Sequence, residues 1–123
     1  TSAYDVQNGS GANTEVLTIN AAGTFTGTFT NNGGAAVLTV FGANCSVSGT
    51  VTNAGKIKLN ANTLTLSNTA AAALANTGDI YSVTTATIGS GLIKFTGASP
   101  ANTGGGNLPA RRHVKQLLAV GTP

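Results

Sequence analysis

Between Val16 and Phe95 apolar and polar positions alternate in short runs, and the runs recur. Thr24-Phe-Thr-Gly-Thr-Phe-Thr30 places Phe25, Gly27 and Phe29 on one side of an extended chain and Thr24, Thr26, Thr28 and Thr30 on the other, the period of two that a half-buried strand requires. Ser46-Val-Ser-Gly-Thr-Val-Thr52 repeats the form, with Val47, Gly49 and Val51 inward and Ser46, Ser48, Thr50 and Thr52 outward. A glycine in the middle of a strand marks a bend, a bulge or the close approach of another backbone. Two segments sharing that internal glycine read as stacked equivalents. Lys56-Ile-Lys-Leu-Asn60 and Thr63-Leu-Thr-Leu-Ser67 continue the alternation and send Ile57, Leu59, Leu64 and Leu66 inward. Ile80, Val83, Ile88, Leu92, Ile93 and Phe95 are expected to supply the last core residues, with a tight turn at Ser90-Gly91.

The runs arrange themselves into four laps, each closing on an Asn/Gly corner. They are Val16 to Gly34, Ala36 to Gly55, Lys56 to Gly78 and Asp79 to Gly97. A period of roughly 20 residues is that of solenoids, blades and arrays. The pattern predicts an all-β domain, a short β-solenoid of about four laps, with a jelly-roll or β-sandwich as the alternative. Thr69-Ala-Ala-Ala-Ala-Leu-Ala75 interrupts the alternation. Alanine favours helix, but so short a run does not sustain one, so a single turn or an irregular lobe is expected there.

Both ends lack the period. Residues 1–14, with Asn8-Gly9 and Gly11, read as an N-terminal arm, residues 15–98 as the repeat domain, and residues 99–123 as a Gly-rich connector and basic C-terminal arm. The tail holds half of all Lys/Arg, the single His and a Leu pair. Pro109 suits the first turn of a helix presenting Val114, Leu117 and Leu118; equally, Gln116 to Val120 could add as a strand to a sheet edge. In either form Arg111, Arg112, Val114, Lys115, Leu117, Leu118 and Val120 are the candidate assembly arm.

Composition narrows the function classes. Charged residues make up 7% of the chain, against roughly 25% in ordinary domains, so hydroxyls and amides supply its polarity and little self-repulsion opposes association. The 123 residues allow one core. One cysteine, Cys45, excludes an intrachain disulfide and a Cys-based zinc site, and its neighbours Phe41 and Val47 mark it as a small buried residue. One His and three scattered carboxylates, Asp5, Glu15 and Asp79, offer no catalytic constellation, so no enzyme activity, cofactor or metal is expected. His113 reads as a solvated tail residue. Gly104-Gly-Gly106 has no Lys-Ser/Thr after it, so a phosphate loop is not supported. Arg111, Arg112 and Lys115 cluster without interleaved aromatics, which removes the platform for base stacking; nucleic acid is not an expected partner. Asn8-Gly-Ser10 and Asn44-Cys-Ser46 match the glycosylation acceptor pattern, as Asn-rich chains do by chance. No stretch approaches a membrane span. The outward threonines Thr24, Thr26, Thr28, Thr30, Thr50 and Thr52 decorate a solvated sheet or, in stacked laps, form a hydroxyl face for ice or sugar similar to the Thr-x-Thr rows of ice-binding solenoids.

Gly49-Thr-Val-Thr-Asn-Ala-Gly-Lys-Ile-Lys-Leu-Asn-Ala-Asn-Thr-Leu-Thr-Leu-Ser-Asn68 resembles the laps of bacterial autotransporter and filamentous-haemagglutinin passengers. Those laps repeat a Thr-Asn-x-Gly corner, a short apolar strand and an Asn-Thr-Leu-Thr strand, and the resemblance implies a β-solenoid surface protein. In size and style the chain also resembles phage capsid decoration (cement) proteins and self-assembling surface-fibre subunits. The expectation is a non-enzymatic structural subunit of a large extracellular assembly at a virion or cell surface, with itself and a larger protein assembly as partners.

Overall fold

A computed structural model describes residues 5–9, 14–32, 37–68, 73–84, 90–96, 102–103 and 111–114, the last two segments as strand backbone. The strands are β1 (Val6–Asn8), β2 (Val16–Ile19), β3 (Gly23–Phe25), β4 (Phe29–Asn31), β5 (Leu38–Phe41), β6 (Cys45–Val47), β7 (Val51–Asn53), β8 (Lys56–Lys58), β9 (Thr63–Leu66), β10 (Leu74–Asn76), β11 (Asp79–Tyr81), β12 (Leu92–Phe95), β13 (Asn102–Thr103) and β14 (Arg111–Val114). They form three parallel sheets, ordered β1-β4-β7-β10-β13, β2-β5-β8-β11 and β3-β6-β9-β12-β14. Each lap gives one strand to each sheet in turn, so β1–β3, β4–β6, β7–β9 and β10–β12 are four successive laps of a short parallel β-solenoid.

The register is in line from lap to lap. Phe29 pairs with Val51 and Val51 with Leu74; Cys45 pairs with Leu64 and Leu64 with Ile93; Thr39 pairs with Ile57 and Ile57 with Ile80. Because parity is preserved, every lap points the same positions inward, and Phe29, Phe41, Cys45, Val47, Val51, Ile57, Leu59, Leu64, Leu66, Leu74, Ile80, Ile93 and Phe95 form one buried cluster. Strands this short have little stability alone. They persist because the strands between the ends are paired on both edges and buried on their inner faces by their neighbours in the stack.

Small residues make the corners. The threonine-rich segment 24–30 and the segment 46–52, each expected as one strand, are two strands apiece, with Gly27 and Gly49 at the bend between the sheets of β3 and β4 and of β6 and β7. A Cβ on Gly49 would run into the carbonyl of Gly27 in the lap before, so the two glycines are indeed stacked equivalents, and the reason is close backbone approach. At another corner Asn60 takes a left-handed conformation (φ 55°), which Asn tolerates better than most residues, and its side chain donates to the Phe41 carbonyl at 3.2 Å.

Ile57, Leu59, Leu64, Leu66, Ile80, Ile93 and Phe95 are buried as expected. Val83 is 60% exposed instead, because it follows the end of β11 at a corner, and Leu92 takes the outward parity of β12. Of the alanine-rich run, Ala73 is buried and Leu74 and Ala75 belong to β10; residues 69–72 and Ile88 lie outside the described residues. The segments expected as arms contribute strands to the stack: β1 falls within residues 1–14, and β13 and β14 within residues 99–123.

Candidate interaction surfaces

Inside the stack the corner asparagines form a hydrogen-bonded ladder. Asn8 pairs in register with Asn31, Asn31 with Asn53 and Asn53 with Asn76, and all four are buried. The Asn8 amide donates to Asn31 Oδ1 at 3.1 Å, Asn31 to Asn53 Oδ1 at 2.7 Å and Asn53 to Asn76 Oδ1 at 2.8 Å. The second amide hydrogen reaches a carbonyl at the start of the neighbouring sheet in the next lap: Leu38 at 2.9 Å from Asn8, Lys56 at 2.9 Å from Asn31, Asp79 at 3.1 Å from Asn53. Thr39 adds a bond to Asn31 Oδ1 at 2.9 Å. Each of the Asn8, Asn31 and Asn53 amides therefore satisfies carbonyls that the turning chain would otherwise bury unpaired, and the bonds between ladder asparagines run from each lap to the next toward the C-terminus. The Asn8 amide is committed to this ladder, which is at odds with its use as a glycan acceptor in the folded chain. The periodic Asn-x-Gly of the lap ends (Asn31, Asn53, Asn76) carried the signal; Asn8, followed directly by Gly9, was the rung that read as loop.

The two ends of the stack differ from its middle. Among the described residues no strand pairs with the outer edges of β1, β2 and β3. Val6, Leu17, Ile19 and Phe25 pack against the core but stay only partly buried, whereas their register partners Phe29, Thr39, Phe41 and Val47 are 0–1% exposed. Glu15 lies at the same end. Its backbone carbonyl accepts the Leu38 N–H at 2.9 Å, and one residue before that pair the chain places Glu15 in line with Val37, which is fully buried. A carboxylate thus stands on an inward row of the first lap, and its Oε2 is buried with no hydrogen-bond partner. Asp5 flanks the same rim. It accepts the Thr28 N–H at 2.9 Å, and those bonds to Thr28 hold its carboxyl below the usual range.

The outer faces carry three different chemistries. On the sheet of β3 the column Thr24, Ser46, Thr65, Lys94 runs across the strands, and the strand-end bonds of Ser48, Ser67 and Thr96 to the preceding lap set a second hydroxyl column beside it. The sheet of β4 presents Thr30 and Thr52 in register with Ala75. The six threonines expected as one face are therefore divided: Thr24 belongs to one sheet, Thr30 and Thr52 to another, and Thr26, Thr28 and Thr50 to the corner region between them. The third face changes from Val16, Leu38 and Val40 to Lys56 and Lys58 and then to Asp79 and Tyr81. Tyr81 is buried, and burial followed by the nearby Asp79 charge pushes its phenol up.

The carboxylates do not converge. Glu15 and Asp79 belong to opposite ends of one sheet, three strand spacings or roughly 14 Å apart. Among the described residues no three His, Cys, Asp or Glu side chains are grouped as a metal site. Cys45 is buried and not in a disulfide; burial raises its thiol, which donates to the Ala21 carbonyl at 3.7 Å, so it is a core residue. Of the basic tail, Arg111, Arg112, His113 and Val114 make β14, in register with Leu92, Ile93, Lys94 and Phe95. Lys115, Leu117, Leu118 and Val120 lie outside the described residues, as do Gly104 to Gly106. No described helix is long and apolar enough to cross a membrane. No family model, curated protein or solved structure matches the chain significantly.

Proposed function

We propose that this chain is a non-enzymatic structural subunit of a large extracellular assembly. Within that class a virion decoration role stands first and a subunit of a cellular surface fibre or adhesin second. The supporting observation is the first lap: inward residues that the stack buries elsewhere are left half-covered there, beside three strand edges that no strand among the described residues pairs with. Edges and apolar ends of this kind are liabilities for a free domain and joining surfaces for an assembled one. The low charge content works in the same direction. Immunogold labelling with an antibody to the chain checks this reading in the source cells and any virions they release. Label concentrated on particle or cell surfaces is expected; label confined to the cytoplasm contradicts it.

The paired hydroxyl columns support a second reading, a module that binds ice or a glycan through the β3 sheet. Residues within a column stand about 4.8 Å apart from strand to strand and the two columns about 7 Å apart along each strand, a regular donor/acceptor grid. Thermal hysteresis or glycan retention lost on replacing Thr24, Ser46 and Thr65 by Val would favour this reading. Activity unchanged by those replacements removes it.

A further inference from the structure

We infer that Asn8-Gly9 is a site of spontaneous asparagine cyclisation which the folded ladder holds unreactive, and that its reaction is a one-way latch against re-closure of β1. The four rungs of the ladder are followed in sequence by Gly9, Asn32, Ala54 and Thr77. Only the first rung thus precedes a residue without a side chain, whose backbone nitrogen is left unshielded for attack on the asparagine side chain. The fold demands that glycine. Gly9 takes φ 87°, and a Cβ there would run into the Asn32 carbonyl and the Val37 side chain. The ladder sets asparagine at position 8 and the corner sets glycine at position 9, so the reactive pair is a consequence of the architecture.

The reaction needs no co-reactant but water. The Gly9 nitrogen attacks Asn8 Cγ, the bond from Cγ to Nδ2 breaks, and the proton lost from Gly9 leaves with Nδ2 as ammonia. Water then opens the five-membered imide at either carbonyl, giving aspartate or its isomer linked through the β-carboxyl. Attack requires Asn8 Cγ to swing onto the Gly9 nitrogen, and the folded chain restrains both. Asn8 is 6% exposed. Its amide is spread over Asn31 Oδ1, the Leu38 carbonyl and Thr39 Oγ1, at 3.1, 2.9 and 3.1 Å. Its own carbonyl accepts the Asn32 N–H at 2.8 Å, and the Gly9 carbonyl accepts the Gln7 side-chain amide at 3.0 Å. Cyclisation therefore waits on local opening of β1. Once formed, the new carboxylate has no hydrogen to give. It would face the Asn31 and Leu38 oxygens and a Thr39 hydroxyl already donated to Asn31 at 2.9 Å, a buried charge set against acceptors. The isomer also lengthens the backbone between β1 and the corner. Each opening that reacts is thereby made permanent.

Timed peptide mapping tests this on the full 123-residue chain, incubated in parallel in native buffer and in urea at one mildly alkaline pH. Cleavage after Glu15 separates Asn8-Gly9 from Asn32-Gly33, the other Asn-Gly pair of the sequence, whose asparagine is exposed. Mass and isoaspartyl methylation report conversion at each pair. Asn8 should convert about tenfold or more slowly in native buffer than in urea. Thr39→Val removes one acceptor of the Asn8 amide and the hydroxyl bond to Asn31; it should speed native conversion at Asn8 several-fold and leave that at Asn32 unchanged. Asn8→Asp, which installs the reaction product directly, should speed hydrogen exchange in Val6–Asn8 about tenfold or more relative to wild type. Native conversion of Asn8 as fast as in urea overturns the guarding. So does a Thr39→Val protein, folded by circular dichroism, in which the Asn8 rate stays that of wild type or rises no more than the Asn32 rate. An Asn8→Asp chain with wild-type exchange in β1 overturns the latch.

Discussion

The first and second laps place apolar side chains at the same register positions, yet among the described residues only the second lap is covered on both sides. Phe25 stands opposite Val47, Ile19 opposite Phe41 and Val6 opposite Phe29; the first of each pair is partly exposed and the second is buried to 0–1% exposure. Side-chain chemistry does not account for the difference. In a solenoid an apolar residue is covered by the laps on both sides of it, and the first lap has a described neighbour on one side only. Burial here is a property of position in the stack, and identical substitutions should therefore have unequal effects along it.

The largest contrast is expected between Phe41 and Phe25. Phe41→Ala removes a fully buried ring whose centroid lies 5.7 Å from that of Phe29, and it should cost about 3–5 kcal/mol in urea unfolding. Phe25 makes its own edge contact with Phe29 at 5.7 Å but is half-exposed, so Phe25→Ala should cost roughly half as much. Equal losses would mean that the first lap is covered after all. Next come the rungs of the ladder. Asn53→Ala leaves the Asn31 amide and the Asn76 and Asp79 oxygens short of a partner, a loss on the order of 3 kcal/mol; Asn8→Ala, at the end of the ladder, should lose about 1 kcal/mol.

Glycines sharpen the same comparison. Gly49→Ala should destabilise by about 1–3 kcal/mol, since the added methyl meets the Gly27 carbonyl. Gly23→Ala, on β3 with no atom within 4 Å of the added carbon, should be near neutral. The smallest effect is a pH dependence from Cys45. Burial raises its thiol above the ordinary 9.0, so the folded state disfavours the thiolate. Its contribution to stability is complete below pH 9.0 and declines as pH rises past that value. Cys45→Ala should flatten this alkaline limb, which urea titrations at several pH values would register; in the native protein the thiol should react with alkylating reagents only as fast as the fold opens.

Much of the architecture was legible because solenoid physics writes itself into local sequence. Period-two alternation at Ile57, Leu59, Leu64 and Leu66 marked the inner face, the recurring Asn/Gly corners marked the laps, and the shared Gly27 and Gly49 marked stacked bends. What could not be read was where an alternating run turns. Thr24 to Thr30 keeps perfect parity through the bend at Gly27, so one long strand and two short ones have the same pattern, and the presumed threonine face dissolved into two sheets and a corner. Val83 failed for a related reason: apolar character alone does not tell the end of a strand from its middle. Candidate surfaces were harder still. Glu15 stood only as one of three scattered carboxylates, and its place on an inward row becomes visible only once the register with Val37 is known.

Hydrogen exchange resolved strand by strand tests the contrast between laps most directly. In dilute, dissociated protein, the amides of Val6–Asn8, Val16–Ile19 and Gly23–Phe25 should exchange markedly faster than those of their partners in Phe29–Asn31, Leu38–Phe41 and Cys45–Val47. First-lap amides as protected as the second lap in dilute solution would contradict an open end.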